Sequence, residues 1–85
     1  MKSKFKWIDW NINHIAEHGI SPDEAESVFD KPVDGYPRKH KDGYTLWGKS
    51  ILDQWLQIGF TEDEDNSIFV FHARPLTPKE RKRIK

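Results

Sequence analysis

The sequence predicts an α+β fold: two N-terminal helices, a three- to four-stranded antiparallel sheet, and a basic C-terminal helix. Two proline-led start signals, Ser21-Pro22 and Thr77-Pro78, open helical segments. Between them lie three short segments rich in aromatic and β-branched residues. The links joining those segments are short, which makes the strands antiparallel neighbours. The chain has 85 residues and no cysteine, so it is a single domain, because two cores would each be too small to fold. Leu, Ile, Val and Phe together number only 20, while aromatic residues number 11, four of them Trp. The rings must therefore supply much of the buried area, and the thin core leaves room for a partner or a dimer interface to add to it.

The first helix begins near Asp9, where Trp7, Trp10, Ile12, Ile15 and Ala16 recur at mixed helical spacings. It closes at Gly19, a residue that reaches the left-handed region without a Cβ clash. The second opens at Ser21 as N-cap, with Pro22 in the first turn and Glu24 placed to complete a capping box. It turns Ala25, Val28 and Phe29 inward and stops before Pro32. Residues 32–43 are turn-rich, with reversals at Asp34-Gly35 and Asp42-Gly43, and read as a loop or short edge strand. The strands follow at Tyr44–Gly48, Gln54–Phe60 and Ile68–Ala73. In the second of them, Leu56, Ile58 and Phe60 share one face, opposite Trp55 and Gln57. Thr77 then caps a last helix bearing Lys79, Arg81, Lys82, Arg83 and Lys85, which only Leu76 and Ile84 can dock.

The formal net charge of zero hides a segmental pattern. Residues 1–30 carry a net −3, residues 31–50 a net +3, residues 51–70 a net −5 and residues 71–85 a net +5. If the intervening strands pair, the two basic segments can converge into one anion site; otherwise they are solvated faces. The absence of cysteine removes disulfides, thiolate nucleophiles and Cys-containing zinc sites. His14 and His18 share a helix face but bring no carboxylate to complete a metal site. No apolar stretch approaches the roughly 20 residues that span a bilayer, so the expectation is a cytoplasmic chain with no membrane association.

The order of motifs resembles a known family. Trp10-Asn11-Ile12-Asn13-His14-Ile15 through His18-Gly19-Ile20, then Glu26-Ser27-Val28-Phe29, looks like the opening of the BrnT toxins, also called DUF497. Arg38 through Ser50 resembles that family's first two strands, and Ala73-Arg74 with Thr77-Pro78-Lys79-Glu80-Arg81 its closing signature. The resemblance implies a RelE-like fold and the toxin half of a type II toxin–antitoxin system. Such a toxin is a ribonuclease that cleaves mRNA, arrests translation and is held by a BrnA-like antitoxin, as a homodimer or within a toxin–antitoxin heterotetramer. It implies no cofactor and no metal. Many relatives carry Arg immediately before the aromatic matching Tyr44 and another early in the last strand; here those positions are Gly43 and Phe69.

RNA cleavage without a metal needs a base for the 2′-hydroxyl proton, a cation for the developing charge and an acid for the leaving oxygen. His72 and Arg74 are two residues apart on a strand, which sets them on one side about 7 Å apart, a distance that spans a phosphate. Arg74 is the leading catalytic candidate, with an ion pair to Glu80 or Asp42 as its structural alternative, and His72 is the second. Tyr44 and His40 can supply a proton or stack on a base. Arg38, Lys39, Lys41, Lys49 and Arg81 fit phosphate binding. A degenerate toxin that keeps only its antitoxin-binding surface is the competing reading, and gyrase-directed activity, known from related toxin folds, is a third.

Overall fold

A computed structural model describes residues 4–84. Its elements are β1 (Phe5–Lys6), α1 (Asp9–Ala16), α2 (Pro22–Ser27) continued by a 3-10 turn (Val28–Asp30), β2 (Arg38–His40), β3 (Gly43–Lys49), β4 (Trp55–Glu62), β5 (Ile68–Pro75) and α3 (Pro78–Arg81). The strands form one five-stranded sheet in the order β1-β5-β4-β3-β2. The α+β class stands, but the sheet is mixed: β1 precedes both helices and runs parallel to β5, with Phe5 opposite Ile68 and Lys6 opposite Phe69. A two-residue strand shows no periodicity, so only its remote partner defines it. The basic edge segment does become a strand, β2, pairing with β3 from Arg38 opposite Thr45 to His40 opposite Gly43.

Asn11 fastens α1 to the sheet. It is fully buried; its side-chain carbonyl accepts from the Ile8 N–H at 2.7 Å, and its amide donates to the carbonyls of Lys6 and Val70, each at 3.0 Å. One side chain thus caps the helix and ties it to β5 just beyond the end of β1. The Ser21 hydroxyl caps α2 by accepting from the Glu24 N–H at 3.1 Å. The Glu24 side chain does not complete that capping box. It is buried and instead accepts from the Ser50 hydroxyl at 2.8 Å, linking α2 to the β3–β4 turn. A buried carboxylate needs such a partner.

The core lies between the helices and one face of the sheet, where Ile15, Ile20, Ala25 and Val28 meet Leu46, Leu56, Ile58, Phe60, Val70 and Ala73. Gly48 is obligatory there. A Cβ on it would stand 2.7 Å from the Lys31 carbonyl and 2.8 Å from Val28 Cγ1, because the 3-10 turn and the following segment lie directly on β3. That segment extends the sheet edge, with Val33 N–H donating to the Trp47 carbonyl at 2.7 Å. The β3–β4 turn passes through Asp53 at φ 64°, a conformation Asp tolerates.

α3 is shorter than its sequence suggests. Thr77 and Glu80 form a reciprocal capping box, but the helix ends at Arg81, leaving Lys82 and Arg83 in the turn beyond. Lys85, counted with the basic helix, lies outside the described residues.

Candidate nucleic-acid interface

Side chains alternate across a strand, so the residues between Leu56, Ile58 and Phe60 face away from the core. A polar chain crosses this outer face. Trp47 donates through Nε1 to Gln57 Oε1 at 3.0 Å, and Arg74 donates to the same oxygen at 3.2 Å. These three sit opposite one another in the register, Trp47 to Gln57 and Gln57 to Arg74. The chain continues beyond β3, where Tyr36 stacks on Trp47 at 5.0 Å and 12°, and the Arg38 guanidinium lies 4.4 Å from the Tyr36 ring centroid. A second cation–aromatic pair stands nearby, with Lys49 Nζ 5.3 Å from the Trp55 ring centroid.

Arg74 is not a free cation. Its two terminal nitrogens donate to the two Glu80 oxygens, both at 2.8 Å, and one also donates to the Pro75 carbonyl at 3.0 Å. Of its two structural alternatives, Glu80 is the partner and Asp42 is not. The pair holds α3 against the end of β5 and pulls the Glu80 carboxyl down to about 2 through the Arg74 hydrogen bonds, helped by the Thr77 N–H.

His72 shares the outer face with Arg74. A register shift between Gly59 and Phe60 leaves Phe71 as an extra residue in β5, and both the Phe71 ring and His72 Cβ lie over the open side of Gly59. The His72 ring stands 6.2 Å from that of His18, edge to face. Burial lowers its pKa, and Arg74, His18 and His14 push it further the same way. A neutral imidazole is the form that can accept a proton.

Tyr44 is not brought to these two. It shares the core side of β3 with Leu46, stacks on Phe60 at 5.1 Å and 13°, and carries Lys39 Nζ 5.6 Å from its centroid. The phosphate-binding candidates divide in the same way. Arg38 and Lys49 lie on the outer face, and Arg81 borders Trp55 from α3. Lys39, His40 and Lys41 instead border a depression with Thr61 and Glu62 at the opposite end of the sheet. The two basic segments therefore converge only in part.

The positions of Gly43 and Phe69 have local explanations. Gly43 adopts φ 145°, and a Cβ there would stand 2.6 Å from the Phe60 carbonyl oxygen, so this backbone has no place for Arg. Phe69 stacks with Trp10 at 6.2 Å, and Trp10 in turn stacks with His14 at 5.0 Å.

Tyr36 and Gln57 carry no sequence signal of this role. The i, i+2 relation of Trp55 to Gln57 sets the two on one face of β4 without saying which face is outward, and the partners of Gln57 come from other strands. Tyr36 lies in the turn-rich 32–43 segment, where no periodicity marks a stacking ring. Among the described residues no group of three or more His, Asp or Glu side chains is placed to hold a metal ion, and no helix is long and apolar enough to cross a membrane. No family model and no curated protein matches the chain.

Proposed function

We propose that this chain is the toxin half of a type II toxin–antitoxin pair, a cytoplasmic protein that binds and cleaves RNA without a metal in the manner of the BrnT toxins it resembles. One observation carries the reading most. On the outer face, cations paired with aromatic rings, Arg38 with Tyr36 and Lys49 with Trp55, flank an Arg74–His72 pair on β5. Rings stack on bases and cations hold phosphates, which is how single-stranded RNA is bound. In this reading His72, neutral at physiological pH, takes the 2′-hydroxyl proton as that oxygen bonds to phosphorus, Arg74 stabilises the negative charge that builds on the phosphoryl oxygens, and the 5′-oxygen leaves as its bond to phosphorus breaks, taking its proton from water. A BrnA-like antitoxin would cover this face.

A second reading is a catalytically degenerate relative that retains partner binding and regulation. Two observations favour it: Arg74 is fully engaged by Glu80, and Tyr44 is turned to the other side of the sheet. RNA cleavage by the purified protein separates the two, with His72→Ala and Arg74→Ala as controls whose fold is verified by circular dichroism. The toxin reading expects cleavage by the wild type, lost in both folded variants, and growth arrest on expression. No cleavage with or without ribosomes, together with absence of growth arrest, would overturn it in favour of the binding module.

A further inference from the structure

We propose that the groove between the 31–34 segment, the start of β4 and the C-terminal turn is a nucleotide subsite, seating one nucleobase against Trp55 and its phosphate among Lys31, Lys49 and Arg83. The inference rests on the RNA reading and deepens it by naming where a single nucleotide is held and which bases are preferred. The groove encloses about 540 Å³, within the range of sites that take small organic ligands.

Its walls match the two halves of a nucleotide. The apolar part is the partly exposed Trp55 ring with Ile84, a surface on which a base of any kind can stack. The charged part is three cations from three separate segments: Lys31 after the 3-10 turn, Lys49 at the end of β3, and Arg83 beyond α3. Lys31 and Arg83 are exposed. Lys49 already meets Asp53 at 2.8 Å, but the Asp53 side chain is 83% exposed, so a phosphate exchanges with a solvated carboxylate at little cost. The wall is preset, because the backbone of residues 31–33 is bonded to β3 through Lys49 N–H to the Lys31 carbonyl at 3.2 Å and Val33 N–H to the Trp47 carbonyl at 2.7 Å.

Asp34 is the acidic residue in this lining. A carboxylate only accepts hydrogen bonds, so it receives the exocyclic amine of adenine, cytosine or guanine and the N3–H of uracil alike; the preference for AMP over UMP rests on the larger purine ring stacking on Trp55. A second groove of about 370 Å³ shares Trp55 and Ile84 and is bordered by Arg81 and Lys82. A chain leaving the first subsite therefore has a basic path onward past α3.

The test is titration of the wild-type protein at low ionic strength with AMP, UMP, inorganic phosphate and a short oligoadenylate, repeated on Arg83→Ala, Lys31→Ala and Trp55→Leu. The first two variants change exposed side chains, so they remain informative if Trp55→Leu fails to fold. The expected result is AMP binding that exceeds UMP and phosphate and falls about tenfold in each folded variant, in line with the loss of one stacking or charged contact. Equal binding of AMP and phosphate would overturn the subsite. Tight oligoadenylate binding that these variants leave unchanged would overturn the subsite while leaving the RNA reading intact. If neither RNA nor nucleotide binds, the RNA reading itself falls, and the subsite with it.

Discussion

Arg74 and Glu80 meet in a two-pronged ion pair, with each guanidinium nitrogen 2.8 Å from its own carboxylate oxygen. The carboxylate also accepts from the Thr77 N–H at 2.9 Å, so one side chain both caps α3 and fixes the cation proposed for RNA chemistry. Both side chains are about three-quarters or more shielded from solvent, which makes the pair stronger than an ordinary surface contact.

Glu80→Gln therefore has two effects of opposite kind. Stability falls by about 1.5 kcal/mol, the lower end for a hydrogen bond to a charged group, measured by urea unfolding. At the same time Arg74 is released, and RNA binding gains salt dependence, with the slope of log K against log salt steepening by about 0.7 for one added phosphate contact. Unchanged stability would mean that the ion pair contributes nothing to holding α3.

Acid acts on the same contact. The Glu80 carboxyl is depressed from 4.5 to about 2 in the folded protein, so the folded state binds fewer protons than the unfolded chain between those values. Its stabilisation is fully present above about pH 4.5 and is lost as pH falls toward about 2. Thermal melts across this interval should show the loss in the wild type and a shallower slope in Glu80→Gln.

His72 produces a separate dependence at higher pH. Its folded pKa lies below the ordinary 6.5, chiefly through burial, with Arg74, His18 and His14 adding like charge around it. Above about pH 6.5 it costs nothing; as pH falls below that value the unfolded chain takes up the proton first and stability declines. His72→Gln should flatten the melting temperature between about pH 7 and pH 5.5, and an NMR titration of the wild-type ring should give a midpoint below 6.5. A midpoint above that value would overturn the assignment.

Gly48→Ala tests the close approach of the 3-10 turn to β3. The new methyl meets the carbonyls of Lys31 and Val28 at 2.7 and 2.9 Å, both backbone atoms that move only with their segment. A cost of about 1–3 kcal/mol is expected from overpacking, read as a melting temperature lowered by about 4–8 °C per kcal/mol.

Much of this fold is legible in the amino-acid sequence because its signals are local. Ser21-Pro22 and Thr77-Pro78 do open helices, Gly19 does take φ 73°, and Leu56, Ile58 and Phe60 do share the buried face. What escapes is whatever depends on a distant partner. Glu24 fits a capping box by spacing, yet burial beside Ser50 offers it a partner 26 residues away. The extra residue in β5 arises from register with β4, and nothing in Phe71 itself announces it. The site was legible to the same degree. The i, i+2 relation of His72 and Arg74 sets both on one face but does not say which face meets the helices, and the separation of Tyr44, Lys39 and Lys41 from them follows from strand parity and the direction of β2 across the sheet.

The parallel pairing of β1 with β5 joins the first strand to the last, since Phe5 lies opposite Ile68. Closing so large a loop carries an entropic cost that the hairpins β2–β3, β3–β4 and β4–β5 avoid. The meander can therefore assemble first and accept β1 afterwards, with Asn11 completing the seam by bonding to Lys6 and Val70 at once. In hydrogen exchange, the amides that β1 shares with β5 should open at lower free energy than those between β3 and β4. The beginning of the chain then acts as a clasp: the last part to fasten and the first to let go.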